Sequence, residues 1–241
     1  MGYLIVLIVG VAAGVLSGIV GTGSSIVLMP ILVICFGPQQ AVPIMAIAAV
    51  LGNLGKAAAW WNSINWRACA AYSVTAVPGA VLGVHTLLTL PPHIVDVALG
   101  SFFIAMIPAR RWLARRAIKF SLLHLMLIGG PVGFLTGIVV STGPITVPIF
   151  TSVGLERGAF LGTEAAASLT MYIAKIAAFK GFGALPLDVI VKGLTAGSAL
   201  MIGAFCARSI VFKMKLATFT LLIDGLMLTS GTALLWAAIF R

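Results

Sequence analysis

Apolar positions in this chain come in long runs rather than in narrow stripes. Short clusters of Gly, Pro and charge separate ten of them: residues 3–20, 23–36, 39–61, 65–90 and 93–112, then 119–140, 143–153, 158–179, 186–212 and 215–240. Most are about 20 residues long, the length a helix needs to cross a hydrocarbon layer roughly 30 Å thick. No water reaches the backbone in that layer, so each segment must satisfy its own N–H and C=O groups, and the runs predict helices. The second run of each group of five is short and covers only about 16–21 Å as a helix. Residues 3–20 with 23–36, and 119–140 with 143–153, are therefore predicted to form broken helices or re-entrant hairpins.

The two groups are copies. Residues 14–32, GVLSGIVGTGSSIVLMPIL, return as residues 133–150, GFLTGIVVSTGPITVPIF. Further on, Lys56 falls opposite Lys175, Gly79-Ala80 opposite Gly203-Ala204, and Gly100 opposite Gly225. Five runs per copy is an odd number, and three spans remain if a hairpin turns back, so the second copy is predicted to enter from the opposite side. The expectation is an all-α polytopic membrane protein made of two inverted-topology repeats, residues 1–112 and 119–241, joined by a basic linker over 113–118. Duplicated, inverted halves are a transporter architecture, with the substrate held where they meet. Glycines recur every fourth residue at Gly10, Gly14 and Gly18 and again at Gly129, Gly133 and Gly137, with shorter echoes at Gly79/Gly83 and Gly193/Gly197. Such stripes let helix backbones approach closely, and they would also permit a homodimer.

Composition narrows the class. The chain is 61% hydrophobic and 8% charged, with five acidic residues in 241. That is too little charge to cover a water-soluble domain. The net charge of +10 points to membrane orientation rather than to nucleic acid. With the 110–119 loop in the cytoplasm, Arg67, Arg110, Arg111, Arg115, Arg116, Lys119, Arg157, Arg208, Lys213 and Lys215 share one side, and Lys180 and Arg241 take the other. That asymmetry follows the positive-inside rule, and the basic loop would rest on anionic lipid. Residues 1–20 carry no Lys or Arg, so a cleavable signal with a basic leader is not expected. Cys35, Cys69 and Cys206 lie in apolar surroundings without metal-like spacing and read as small packing residues.

The chemistry gathers at the breaks. Gly21-Thr22-Gly23-Ser24-Ser25 ends the first long run, and Ser141-Thr142-Gly143-Pro144 ends its counterpart. Gly and Pro interrupt the helix there and leave unpaired N–H groups at the start of the next. A helix N-terminus carries partial positive charge and attracts anions. Gly23, Ser24, Ser25, Ser141, Thr142 and Gly143 are the predicted hydrogen-bonding residues for a small anion, with Asn53, Lys56 and Lys175 beside them. A lysine inside a membrane run is costly unless it meets water or a partner, so Lys56 and Lys175 read either as cations along an anion path or as snorkelling side chains. Glu164, Ser168, Tyr172 and Lys175 share one helical face. Glu164 carries a coupling proton or pairs with a basic residue, and pairing is favoured. His85, His93 and His124 are scattered, and no nucleophile–base set, Walker loop or metal motif occurs. No enzyme activity, metal or cofactor is expected.

The opening G-x-x-S-G-x-x-G-T-G-S-S with Pro30, repeated in weaker form in the second half, resembles the TauE/SafE sulfite exporter family of membrane permeases. The likeness covers nearly the whole chain: two homologous halves, a basic central loop and a Gly-rich break in each half. It implies a secondary transporter moving sulfite, or an organosulfonate such as sulfoacetate, outward across a bacterial inner membrane. The family often carries Gly-Gly-Gly where this chain has Gly23-Ser24-Ser25, a difference at the position where substrate would bind. An anion channel and a membrane subunit of a larger assembly are the alternatives.

Overall fold

The computed structural model describes residues 2–20, 24–115, 119–139, 143–155 and 157–207, with 224–225, 228–229, 231–232 and 235–236 beyond them. Among these residues every regular element is helical. The helices are α1 (Gly2–Val20), α2 (Ser24–Phe36), α3 (Pro38–Ala59), α4 (Trp66–Thr89), α5 (Pro92–Arg115), α6 (Leu122–Ile138), α7 (Gly143–Thr151), α8 (Arg157–Gly181) and α9 (Leu187–Ala207). Each matches one apolar run to within a few residues. The last run, 215–240, lies mostly outside the described residues, and its described positions are helical. Helix α5 continues to Arg115, which takes the first part of the expected 113–118 linker into the helix, and 116–118 lie outside the described residues.

Local chemistry sets the ends. Gly37, at φ 79°, separates α2 from α3, and Pro38 then opens α3 where no N–H is needed. Asn65 caps α4 by accepting a hydrogen bond from Ala68 N at 3.1 Å, while its own N–H donates to Thr163 Oγ1 of α8 at 2.9 Å. At the start of α6, Ser121 N donates to His124 Nδ1 at 3.2 Å, a histidine acting as a cap partner.

By length and composition, Gln40–Ala59, Trp66–Thr89 and Leu187–Ala204 are long and apolar enough to cross a membrane, and Val6–Ser17, Val27–Phe36, His93–Ala109 and Leu122–Ile138 are shorter apolar stretches. The outer faces are apolar as well: Ile8, Val74, Leu82, Leu127 and Leu187 all lie exposed. A bilayer covers such a surface and water does not. Trp60, Trp61 and Trp66 cluster, exposed, at the turn between α3 and α4, as aromatic residues do at a membrane boundary. The protein is an all-α membrane protein.

Close backbone contacts fix the helix directions. Along α1 and α9, Gly10 meets Ala199, Gly14 meets the Leu200 backbone, and Gly203 meets Val11 and Gly14. Along α4 and α6, Gly129 meets Tyr72 and Thr75, Gly133 meets Ala76, and Gly137 meets Ala80 and Gly83. In both pairs the residue numbers rise together, so the helices run parallel. Helix α9 also runs parallel to α3, with Gly193 on Ile47 and Gly197 on Ala48 and Leu51. Helix α8 runs parallel to α4, since Thr163 bonds Asn65 and Thr170 bonds Ser73. Helices α3 and α8 run antiparallel, with Trp60 on Gly158 and Gly162 and Lys56 beside Glu164. The glycine stripes are thus the seams where helices of 1–112 interleave with helices of 119–241.

The hairpin of α6 and α7 returns to the end where it began: Phe120 N, before α6, donates to Ser152 O, after α7, at 2.9 Å. Nine residues of α7 rise only about 14 Å, so α7 starts deep in the bundle. At the centre stand α3 and α8, buried on every side over residues 41–49 and 162–168.

Candidate anion site

The N-terminal ends of α2 and α7 open into one cavity. Ser24 and Ser25, in the first turn of α2, and Gly143, the first residue of α7, line the same space. First-turn N–H groups have no partner within their own helix, so both ends bring donors and partial positive charge. Close packing of α1 on α9 brings Ser17 to one wall and Leu200 and Ala204 to the other.

The two central helices supply the charge. Helix α3 presents Asn53 and Lys56, and α8 presents Glu164, Ser168 and Tyr172. Lys56 Nζ stands 3.8 Å from Glu164 Oε2. Glu164 Oε1 accepts from Ser168 Oγ at 3.0 Å and from Thr146 Oγ1 of α7 at 3.4 Å. Glu164 is 4% exposed, and a polar group so enclosed is costly unless it has such partners. Asn53 Nδ2 donates to Ala49 O one turn back, at 2.9 Å.

Of the residues expected at the site, Ser24, Ser25, Asn53, Lys56 and Gly143 line the cavity. Lys175 lies just behind the wall. Its side chain is fully buried, its Nζ donates to Thr136 O at 2.5 Å, and it lies 6.0 Å from the centre of the Phe179 ring. Thr136 is itself a lining residue and Lys175 is not, so Lys175 bonds a residue of the wall without lining the cavity. Gly23, Ser141 and Thr142 lie outside the described residues.

Of the other polar lining residues, Glu164, Ser168 and Tyr172 were expected only as a polar stripe, and three carried no expectation at all: Ser17, Thr136 and Thr146. The first two had a signal. Ser17 sits in Leu16-Ser17-Gly18 and Thr136 in Leu135-Thr136-Gly137, equivalent positions of the repeat that both kept a hydroxyl. Thr146 has no polar counterpart in α2, and only the packing of α7 on α8 brings it to Glu164. The polar stripe on α8 was visible from spacing, but its division was not: Glu164, Ser168 and Tyr172 face the cavity and Lys175 does not. Among the described residues no group of His, Cys, Asp and Glu is placed to hold a metal ion.

Compared with known protein families, the chain matches the family described as Sulfite exporter TauE/SafE over residues 6–234. No curated protein and no solved structure matches it.

Proposed function

The chain belongs to the TauE/SafE sulfite exporter family, a family of membrane transporters for sulfite and related anions, and from that premise we propose that it is a multi-pass secondary carrier of the inner membrane. Its load is a small sulfur-containing anion, sulfite or an organosulfonate such as sulfoacetate, moved outward. The observation that carries this reading is the convergence of the α2 and α7 N-termini on a single cavity that also holds Lys56. Helix-end donors and a lysine together suit an oxyanion with several acceptor oxygens. Ser24, Ser25, Asn53, Lys56 and Gly143 contact it, Gly23, Ser141 and Thr142 complete the two breaks, and Lys175 adds positive potential from behind Thr136.

The halves are related by inversion in this reading. Helices α1, α3 and α4 of the first copy correspond to α6, α8 and α9 of the second. Support comes from their directions: α1 and α3 run with α9, whereas α6 and α8 run with α4 and against α3. Rocking one set against the other would expose the cavity to each side in turn.

Thermal unfolding of the purified protein against sulfite, sulfoacetate, taurine, sulfate, thiosulfate and simple carboxylates tests the substrate class. A ligand that binds only the folded state must stabilise it, by about 2.7 kcal/mol at a hundred times its Kd. Sulfite or a sulfonate is expected to raise Tm most, and a screen in which no sulfur anion does so would overturn the assignment. Counterflow in proteoliposomes separates carrier from channel. Internal substrate should accelerate uptake of labelled substrate, which a channel would not show.

A further inference from the structure

An anion site lined by a buried carboxylate is self-defeating unless that charge is dealt with. Among the described residues Glu164 is the one acidic residue lining the cavity, and an ionised Glu164 beside a bound anion would oppose binding strongly at this burial. The geometry points to a solution. We propose that Glu164 occupies Lys56 as a tethered counter-ion in the empty carrier, and yields Lys56 to the anion by taking up one proton. This rests on the transport reading above and adds a coupling ion to it.

The two carboxylate oxygens are placed differently. Oε1 is held by the hydroxyls of Ser168 and Thr146. Oε2 is buried with no hydrogen-bond partner, and Lys56 Nζ lies 3.8 Å away, beyond hydrogen-bond reach. The pair is therefore held by charge and not locked by a short bond. A proton added to Oε2 displaces no existing hydrogen bond, and it removes the charge facing Lys56 without moving the carboxyl from its hydroxyl cradle. Among the described residues, the titratable groups facing Glu164 are Lys56 from α3, Tyr72 from α4 and Tyr172 on its own helix. The facing positions of α1, α2 and α7 are Ser17, Ser24, Ser25 and Thr146, none of which titrates near neutral pH.

The step balances simply. The anion binds the Lys56 ammonium, Glu164 takes one proton from the water that admits the anion, and both leave together on the far side, where the Glu164–Lys56 pair re-forms. A dianion carried this way still moves one net negative charge outward, so an inside-negative membrane potential drives export.

Proton uptake on binding is the direct measurement. Sulfoacetate is the probe, because its sulfonate and carboxylate are both ionised near neutral pH and add no proton of their own. In weakly buffered detergent solution with a pH indicator, binding is expected to take up close to one proton per anion, and affinity should rise as pH is lowered from about 8.5 to 7. Glu164→Gln should bind without proton uptake and with affinity flat across that range. Binding to the native protein without proton uptake would overturn the inference and leave the transport reading intact, and so would uptake that persists in Glu164→Gln. Failure of the native protein to bind either sulfoacetate or sulfite would instead remove the transport reading and this inference with it. Should Glu164→Gln not fold, Glu164→Asp keeps the carboxyl and must keep the pH slope; loss of the slope with binding retained would count against the proposal.

Discussion

Lys56 and Lys175 stand at equivalent positions of the two copies, yet their surroundings differ. Lys56 lines the cavity and faces Glu164. Lys175 is sealed behind the Thr136 carbonyl and beside an aromatic ring. Charge at a cavity surface acts on a solute directly, whereas charge behind one wall acts at longer range and more weakly. Lys56→Met should therefore reduce anion uptake in proteoliposomes by tenfold or more, about 1.4 kcal/mol of binding. Lys175→Met should reduce it by a smaller factor. Equal losses in the two variants would place Lys175 in contact with the substrate, and an unchanged Lys56→Met would remove Lys56 from the site.

At the scale of elements, seams of small residues hold the helices together. The hydrophobic effect cannot drive helix association inside lipid, so close van der Waals approach must do so. A methyl group on Gly133 would run into the Ala76 backbone, and one on Gly14 into the Leu200 backbone. Backbone cannot move aside as a side chain can. Gly133→Val is expected to destabilise the protein by about 1–3 kcal/mol, the usual range for overpacking, visible as a lower Tm in detergent. The cap of α4 belongs to the same scale. Asn65→Ala removes the acceptor for Ala68 N and should cost about 1 kcal/mol, while leaving the backbone bond from residue 65 to Thr163 available. A Tm unchanged by Gly133→Val would mean that the α4–α6 seam is looser than its glycines require.

For the whole molecule the decisive feature is direction. Helix α4 ends near the end of α8, where His85 meets Phe182 at 5.4 Å between ring centres. The turn after α3 and the start of α6 lie together at the opposite end, because α4 and α6 run parallel. The proposed inverted arrangement would place these two ends on opposite membrane faces, with the basic end inside. In a background with Cys35, Cys69 and Cys206 replaced by Ala, Asn62→Cys and Ser121→Cys should react with an impermeant thiol reagent only from the cytoplasmic face. Thr89→Cys and Phe182→Cys should react only from outside. Labelling of Asn62→Cys and Phe182→Cys from the same face would exclude the arrangement.

The helices themselves were legible in the chain because a bilayer imposes a simple rule: an apolar run must be long enough to cross and must satisfy its own backbone. That rule, together with the repeated Gly-rich break, is enough to place α1 to α9 and to mark Ser24, Ser25, Asn53, Lys56 and Gly143. Neighbour relations follow no such local rule. That α1 packs on α9, that α7 carries Thr146 to Glu164, and that one of two matching lysines meets the cavity while the other is walled off all depend on how helices distant in sequence fit side by side. Apolar periodicity is nearly the same on every face of such helices, so it carries little information about partners. The choice was made by backbone shape, where glycine met glycine or a neighbouring carbonyl, and that fit exists only in the assembled bundle.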